Sequence, residues 1–155
     1  MKSWSRSLSR LGARILKTRW LVRAPIYAYR AGLGFLFGTR LLMLEHIGRT
    51  SGARRFVVLE VVERAGPDRF VVVSGFGRRA QWYRNILANP QVRVSCGIRR
   101  HVRAAAAPLS DDESAAALRR YANVHPRAWR NLRSTIESAT GRPVDTLPMV
   151  ALRLS

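Results

Sequence analysis

The chain reads as an α+β domain whose antiparallel sheet closes into a small barrel. Three observations predict this. From Leu41 onward, short apolar runs of strand length are separated by turn residues. Helical patterns are inserted between these runs but do not alternate with them regularly, so a parallel sheet is not indicated. No internal repeat or low-complexity linker divides the 155 residues, and a hydrophobic content of 47% suits one folded domain with its own core.

The elements follow in order. Leu41–Ile47 is a first strand and residues 56–62 a second, rich in β-branched side chains. Ala65-Gly66-Pro67-Asp68 is a turn, and residues 70–73 are a third strand. Ser74-Gly75-Phe76-Gly77 breaks that strand with a glycine loop. Residues 80–87 form a short helix stopped at Asn89-Pro90. Residues 92–96 and 101–105 pair as a hairpin around Gly97. Ser110 with Glu113 is a capping box opening a helix to about Asn123. Pro126 starts the next helix and Gly141 ends it, and Met149–Leu154 is the last strand.

The N-terminal part differs in character. Residues 1–40 hold nine Lys and Arg and no acid, whereas all nine acids lie from Glu45 onward. Trp4, Leu8, Leu11 and Ile15 share one face of a helix, and Arg6, Arg10, Arg14 and Lys17 share the opposite face. Such a cationic amphipathic helix suits an anionic membrane surface. Packing on the protein's own core and a transit peptide are the competing readings. Residues 1–24 are therefore set apart as a basic N-terminal helix, and 25–155 as the barrel domain. Pro25 opens a second helix to about Phe37, with Gly38 at its end. Its longest uncharged run, residues 31–39, is too short to span a bilayer.

The net charge of +19 predicts attraction to polyanions: anionic lipid, nucleic acid or phosphorylated small molecules. No nucleic-acid-reading motif accompanies it, so nucleic-acid binding would be non-specific and salt-sensitive. Cys96 is the only cysteine, which excludes an intramolecular disulfide and fits a reducing compartment. His46, His101 and His125 are isolated and lack metal-ligand spacing; each reads as a structural residue satisfied by hydrogen bonding. Hydrolase elbows, the Walker phosphate loop and the dinucleotide fingerprint are absent. An enzyme of this composition would draw its reactive atom from a cofactor.

Two stretches suit a cofactor. In Gly48-Arg49-Thr50-Ser51-Gly52-Ala53-Arg54-Arg55, two glycines bracket a polar turn crowded by three arginines. Converging turn N–H groups and planar guanidinium donors fit a phosphate or carboxylate. A plain surface turn in an Arg-rich protein is the alternative. The second stretch is Ser74-Gly75-Phe76-Gly77, followed by Trp82-Tyr83-Arg84-Asn85. Its glycines would let a flat ring lie against backbone. Trp82 and Ile86, one helical turn apart, equally fit a core-facing stripe.

These stretches, with Val71-Val72-Val73 and Leu87-Ala88-Asn89-Pro90, occur in an order that resembles the actinobacterial deazaflavin (F420)-dependent nitroreductase and quinone reductase family. The resemblance runs from about Pro25 to Leu154. It implies a split β-barrel like that of FMN-binding oxidases, with coenzyme F420 as hydride donor. It also implies a hydrophobic quinone-like or nitroaromatic acceptor, and a cytoplasmic enzyme peripheral to the inner face of the cell membrane. Carried over by residue, Arg49, Thr50, Ser51, Gly52, Arg54 and Arg55 would hold the coenzyme's phosphate and acidic tail. Ser74, Gly75, Phe76 and Gly77 would line the deazaflavin ring, with Trp82 and Asn85 supporting that wall. Many relatives carry Lys where this chain has Thr50, so a hydroxyl replaces a cation there. Ser74, Tyr83 or solvent are the candidate proton donors, and no catalytic residue is singled out. The residues themselves leave open an FMN- or haem-binding barrel, a non-enzymatic basic adaptor and a homodimer.

Overall fold

The computed structural model describes residue 26 and residues 40–155, apart from 142 and 145. The amphipathic stripe at 1–24 lies outside the described residues, as does the second helix apart from Ile26.

Six strands form one closed antiparallel barrel. They are β1 (Leu41–Ile47), β2 (Arg54–Arg64), β3 (Arg69–Val73), β4 (Gln91–Cys96), β5 (Arg99–Pro108) and β6 (Met149–Leu154). Their order around the barrel is β1-β2-β3-β6-β5-β4, with β4 returning to β1. A 3-10 turn at Gly77–Arg79 leads into α1 (Gln81–Ala88). Two longer helices, α2 (Asp111–Val124) and α3 (Pro126–Thr140), lie between β5 and β6.

Period-two alternation sorts the side chains into two cores. Leu42 and Leu44 of β1, Phe70 and Val72 of β3, and Val150, Leu152 and Leu154 of β6 point into the barrel. Trp82, Tyr83 and Ile86 of α1 belong to the same cluster, so this helix is anchored to the barrel interior. Val71, Val73 and Met149 face outward and meet Ala117 and Tyr121 of α2 and Ile136 of α3. That is why β3 is apolar at four consecutive positions: both of its faces are covered.

The expected strands all occur, but two are longer than their apolar runs. In β2, Arg54 and Arg55 pair with Ile47 and His46, and Glu63 and Arg64 pair with Val71 and Phe70. In β5, Ala104 through Pro108 pair with β6 from Leu154 to Val150. Alanine and arginine are not strong strand formers, but closing the barrel supplies a partner ladder on each side. Alternation along β2 puts Val61 with the interior and Val62 with the outer core, and the register against β3 shifts between Val61 and Glu63.

The helix ends follow their sequence signals. Ser110 and Glu113 form the reciprocal capping box of α2. Pro126 occupies the first turn of α3, and Gly141 ends that helix in the left-handed conformation. Among the described residues, no helix is long and apolar enough to cross a membrane.

Candidate cofactor site

The β1–β2 turn is built by its glycines. Gly48 and Ala53 close it through a backbone bond of 2.8 Å, and the N–H of Gly52 donates to the Gly48 carbonyl at 2.8 Å. Gly52 sits at φ +67°, a conformation that disfavours a side chain. A Cβ on Gly48 would stand 2.7 Å from Ser51 Oγ. That hydroxyl accepts from the Ala53 N–H at 3.2 Å, so the turn is stabilised by its own serine.

The turn is clamped to α1 by Arg49. Its backbone N–H and Nη1 both donate to Asn85 Oδ1, at 3.1 and 2.8 Å, and Nη2 donates to Gln81 Oε1 at 2.9 Å. Asn85 is buried, and its Nδ2 lies 3.1 Å from His46 Nδ1. Burial, with Arg55 nearby, lowers the pKa of His46 from 6.5 to about 4. The ring is therefore neutral at neutral pH.

Between the turn and α1 lies a cleft of about 830 Å³. Gly48, Arg49, Thr50, Ser51 and Arg55 form one side. Phe76, Arg79, Ala80, Gln81, Trp82 and Asn85 form the other, with His46, Phe56 and Val57 along the β1–β2 ladder. Among the described residues, three arginines line it and no carboxylate does. Arg49 is engaged by α1, whereas Arg55 and Arg79 have no carboxylate partner among the described residues. Phe76 is 67% exposed at the rim. The cleft thus combines cationic donors with aromatic and aliphatic surface. This donor set fits a ligand with an anionic handle and a planar apolar head.

Seven of the twelve residues expected at a cofactor site come together here: Arg49, Thr50, Ser51, Arg55, Phe76, Trp82 and Asn85. The other five do not line this cleft. Gly52 serves the turn's backbone. Arg54 points its largely exposed side chain toward Glu45, 3.6 Å away. Ser74 is fully buried, and its hydroxyl donates to the Gly77 carbonyl at 2.6 Å. Gly75 packs toward Ile136 of α3. Gly77 borders a separate hollow with Arg78 and Asp111. Neither Ser74 nor Tyr83 reaches the cleft as a proton donor; Tyr83 is buried edge-on against Trp82, ring centroids 5.9 Å apart.

His46, Arg79 and Gln81 are functional candidates that no motif marked. Alternation marks His46 in hindsight, since it shares its parity with inward-facing Leu42 and Leu44. Trp82 is both core and cleft wall, as the two readings of its spacing allowed. Among the described residues, no group of His, Cys, Asp and Glu could hold a metal.

Comparison with known proteins places this geometry in a lineage. Residues 22–149 match the model of the family described as F420H(2)-dependent quinone reductase. A Mycobacterium tuberculosis (strain ATCC 25618 / H37Rv) protein carrying the name of an F420H(2)-dependent quinone reductase is 41% identical over 91 residues. That alignment covers 56% of this chain and 72% of the relative. Among solved structures, an F420-H2 dependent reductase (FDR-A) superposes with a TM-score of 0.51 at 23% identity, covering 74% of this chain and 94% of that one. A chain described as a domain-swapped dimer gives a TM-score of 0.54 at 21% identity, covering 88% and 99%. The barrel is the split barrel of FMN-binding-like proteins. The chain belongs to the F420H(2)-dependent quinone reductase family, and is an oxidoreductase whose cofactor is coenzyme F420.

Proposed function

We propose that this chain reduces a quinone-like or nitroaromatic acceptor in the cleft between the β1–β2 turn and α1. The observation that carries the reading is the cleft's division into a cationic side and an aromatic side, with no carboxylate along its wall among the described residues. When bound, the deazaflavin supplies a hydride.

The protein's residues do the rest. Arg55 and Arg79 attract the anionic portion of the coenzyme, with the hydroxyls of Thr50 and Ser51 as further hydrogen-bonding groups. Arg49 acts differently: it is the strut that holds turn and helix at a fixed separation. Phe56, Val57, Phe76 and Trp82 offer apolar surface against which planar rings can lie and from which water is excluded. Thr50 in place of a cation leaves the anionic handle to the arginines.

The acceptor's hydrophobicity and the basic stripe of residues 1–24 together support work at an anionic membrane surface on the cytoplasmic side. A homodimer is compatible with the likeness to a domain-swapped dimer.

Titration of the purified chain with oxidised F420 should quench the coenzyme's fluorescence, and adding menadione to the chain with reduced F420 should regenerate the oxidised form. Absence of quenching at high micromolar coenzyme would overturn the site. Vesicles containing anionic lipid should bind the full chain, and deletion of residues 1–24 should abolish that binding while leaving quenching intact.

A further inference from the structure

The cleft holds a second chemical device, centred on His46. An arginine side chain and a backbone N–H only donate hydrogen bonds. Because both such donors of Arg49 meet the same atom of Asn85, that atom is the amide oxygen. The amide nitrogen therefore faces His46, and it too only donates. Nδ1 of His46 must accept, so the proton of the neutral ring lies on Nε2.

Where Nε2 points follows from the remaining contacts. It has no hydrogen-bond partner among the described residues, yet no fully buried side-chain nitrogen or oxygen there is unpaired. Nε2 thus retains contact with open space, although the residue as a whole is only 4% exposed. His46 is one of the residues lining the cleft, which offers that space.

We propose that His46 is a neutral, pre-aimed hydrogen-bond donor whose Nε2–H engages a ring carbonyl oxygen of the molecule held in the cleft. The chain Arg49→Asn85→His46 sets its tautomer and its direction. The identity of that molecule rests on the coenzyme reading above. Two carbonyl sources share this chemistry: the deazaflavin's own ring and a quinone acceptor. In either case the proton stays on nitrogen. The contact stabilises negative charge gathering on the carbonyl oxygen as electrons move through the conjugated system.

The surroundings favour the neutral ring. Arg55 of β2 stands opposite His46 across the ladder, Arg49 approaches from the turn, and Arg79 lines the same cleft. From α1 come only the neutral amides of Asn85 and Gln81. Neutrality keeps Nδ1 free to accept from Asn85, whereas an imidazolium would oppose that amide with a second donor.

The test is imidazole nitrogen NMR on the 15N-labelled full chain. At pH 7, His46 should appear as the Nε2–H tautomer. Adding F420, or menadione in a separate arm, should shift Nε2 more than Nδ1, and the arm that does so identifies the carbonyl source. Asn85→Asp offers Nδ1 a carboxylate and should move the ring toward an Nδ1–H form or raise its titration midpoint by more than one pH unit. His46→Gln, which retains a donor, should preserve kcat better than His46→Leu at similar KM. An Nδ1–H tautomer in the unmodified chain would overturn the inference. So would fluorescence quenching by F420 with Nε2 unmoved in both arms, a result that leaves the coenzyme reading intact. Failure of F420 to quench would strike the coenzyme reading instead; the contact would then be upheld or rejected by the menadione arm.

Discussion

Asn85 Oδ1 accepts two hydrogen bonds from one residue, the backbone N–H and the guanidinium of Arg49, across 36 positions of sequence. This makes Arg49 part of the scaffold, unlike Arg55 in the same cleft. Arg49→Ala removes the guanidinium bonds to Asn85 and Gln81 and leaves the Asn85 oxygen with the backbone N–H alone, at a cost of about 1–2 kcal/mol. For a chain of this size each kcal/mol lowers Tm by roughly 2–4 °C. Arg55→Ala removes no such bond and should move Tm by no more than about 0.5 kcal/mol equivalent, while weakening F420 binding about tenfold through the loss of a charge-assisted contact. Differential scanning calorimetry with fluorescence titration separates the two. Equal Tm losses in both variants would contradict this division of labour.

His46 predicts an acid-side loss of stability. Its pKa is about 4 in the folded chain against an ordinary 6.5. The unfolded state therefore binds the extra proton first as pH falls. The stabilisation is present above pH 6.5 and drains away between about 6.5 and 4, with a slope of at most about 1.4 kcal/mol per pH unit for one proton. Denaturant melts from pH 7.5 to 4 should show that slope, and His46→Gln should flatten it. An unchanged slope in the variant would assign the loss to other groups.

Strand positions were legible because each apolar run is bounded by turn residues, and Leu41–Ile47 and Met149–Leu154 match the observed strands residue for residue. The polar ends of β2 and the end of β5 beyond Ala105 were not legible. Their pairing comes from barrel closure, which no local window contains. At the site, the turn and α1 could be recognised separately, but the bond joining Arg49 to Asn85 could not. Nor does a glycine loop reveal which of its sides faces a cavity. Gly75 meets α3 and Ser74 binds its own loop, so only Phe76 of that motif reaches the cleft.

Tyr121 should govern the alkaline limit. Its hydroxyl donates to the Glu60 carboxylate, joining α2 to β2. Burial first, and then that carboxylate, push its pKa well above the ordinary tyrosine range. A raised folded pKa means the contribution is whole below pH 10 and is lost as pH climbs beyond it, because the unfolded tyrosine ionises first. Tyr121→Phe should cost about 1–2 kcal/mol at pH 7 and should remove the steepest part of the stability decline above pH 10. Arg120→Ala, which breaks an exposed pair with Glu63, should cost less than about 1 kcal/mol. Urea melts of the three proteins at pH 7 and pH 10.5 decide the matter. A larger loss for Arg120→Ala would shift the α2 attachment to the surface pair.

The two glycines of the β1–β2 turn should respond differently to alanine. At Gly52 the backbone has φ +67°, and a Cβ meets no atom within 4 Å, so strain comes from conformation alone. A left-handed alanine costs roughly 1–2 kcal/mol, and no neighbouring substitution can relieve it. At Gly48 the obstacle is Ser51 Oγ, 2.7 Å from the added carbon. That hydroxyl can rotate away, giving up its bond to the Ala53 N–H. Gly48→Ala should therefore be partly rescued by Ser51→Ala, whereas Gly52→Ala should show no rescue by the same change. A double-mutant cycle read by thermal melting measures this, with an expected coupling of about 0.5–1 kcal/mol for the first pair and none for the second. Absence of coupling at Gly48 would mean that the serine does not set the shape of the turn that presents Arg49 to α1, and coupling at Gly52 would mean that the strain there is not confined to its own backbone.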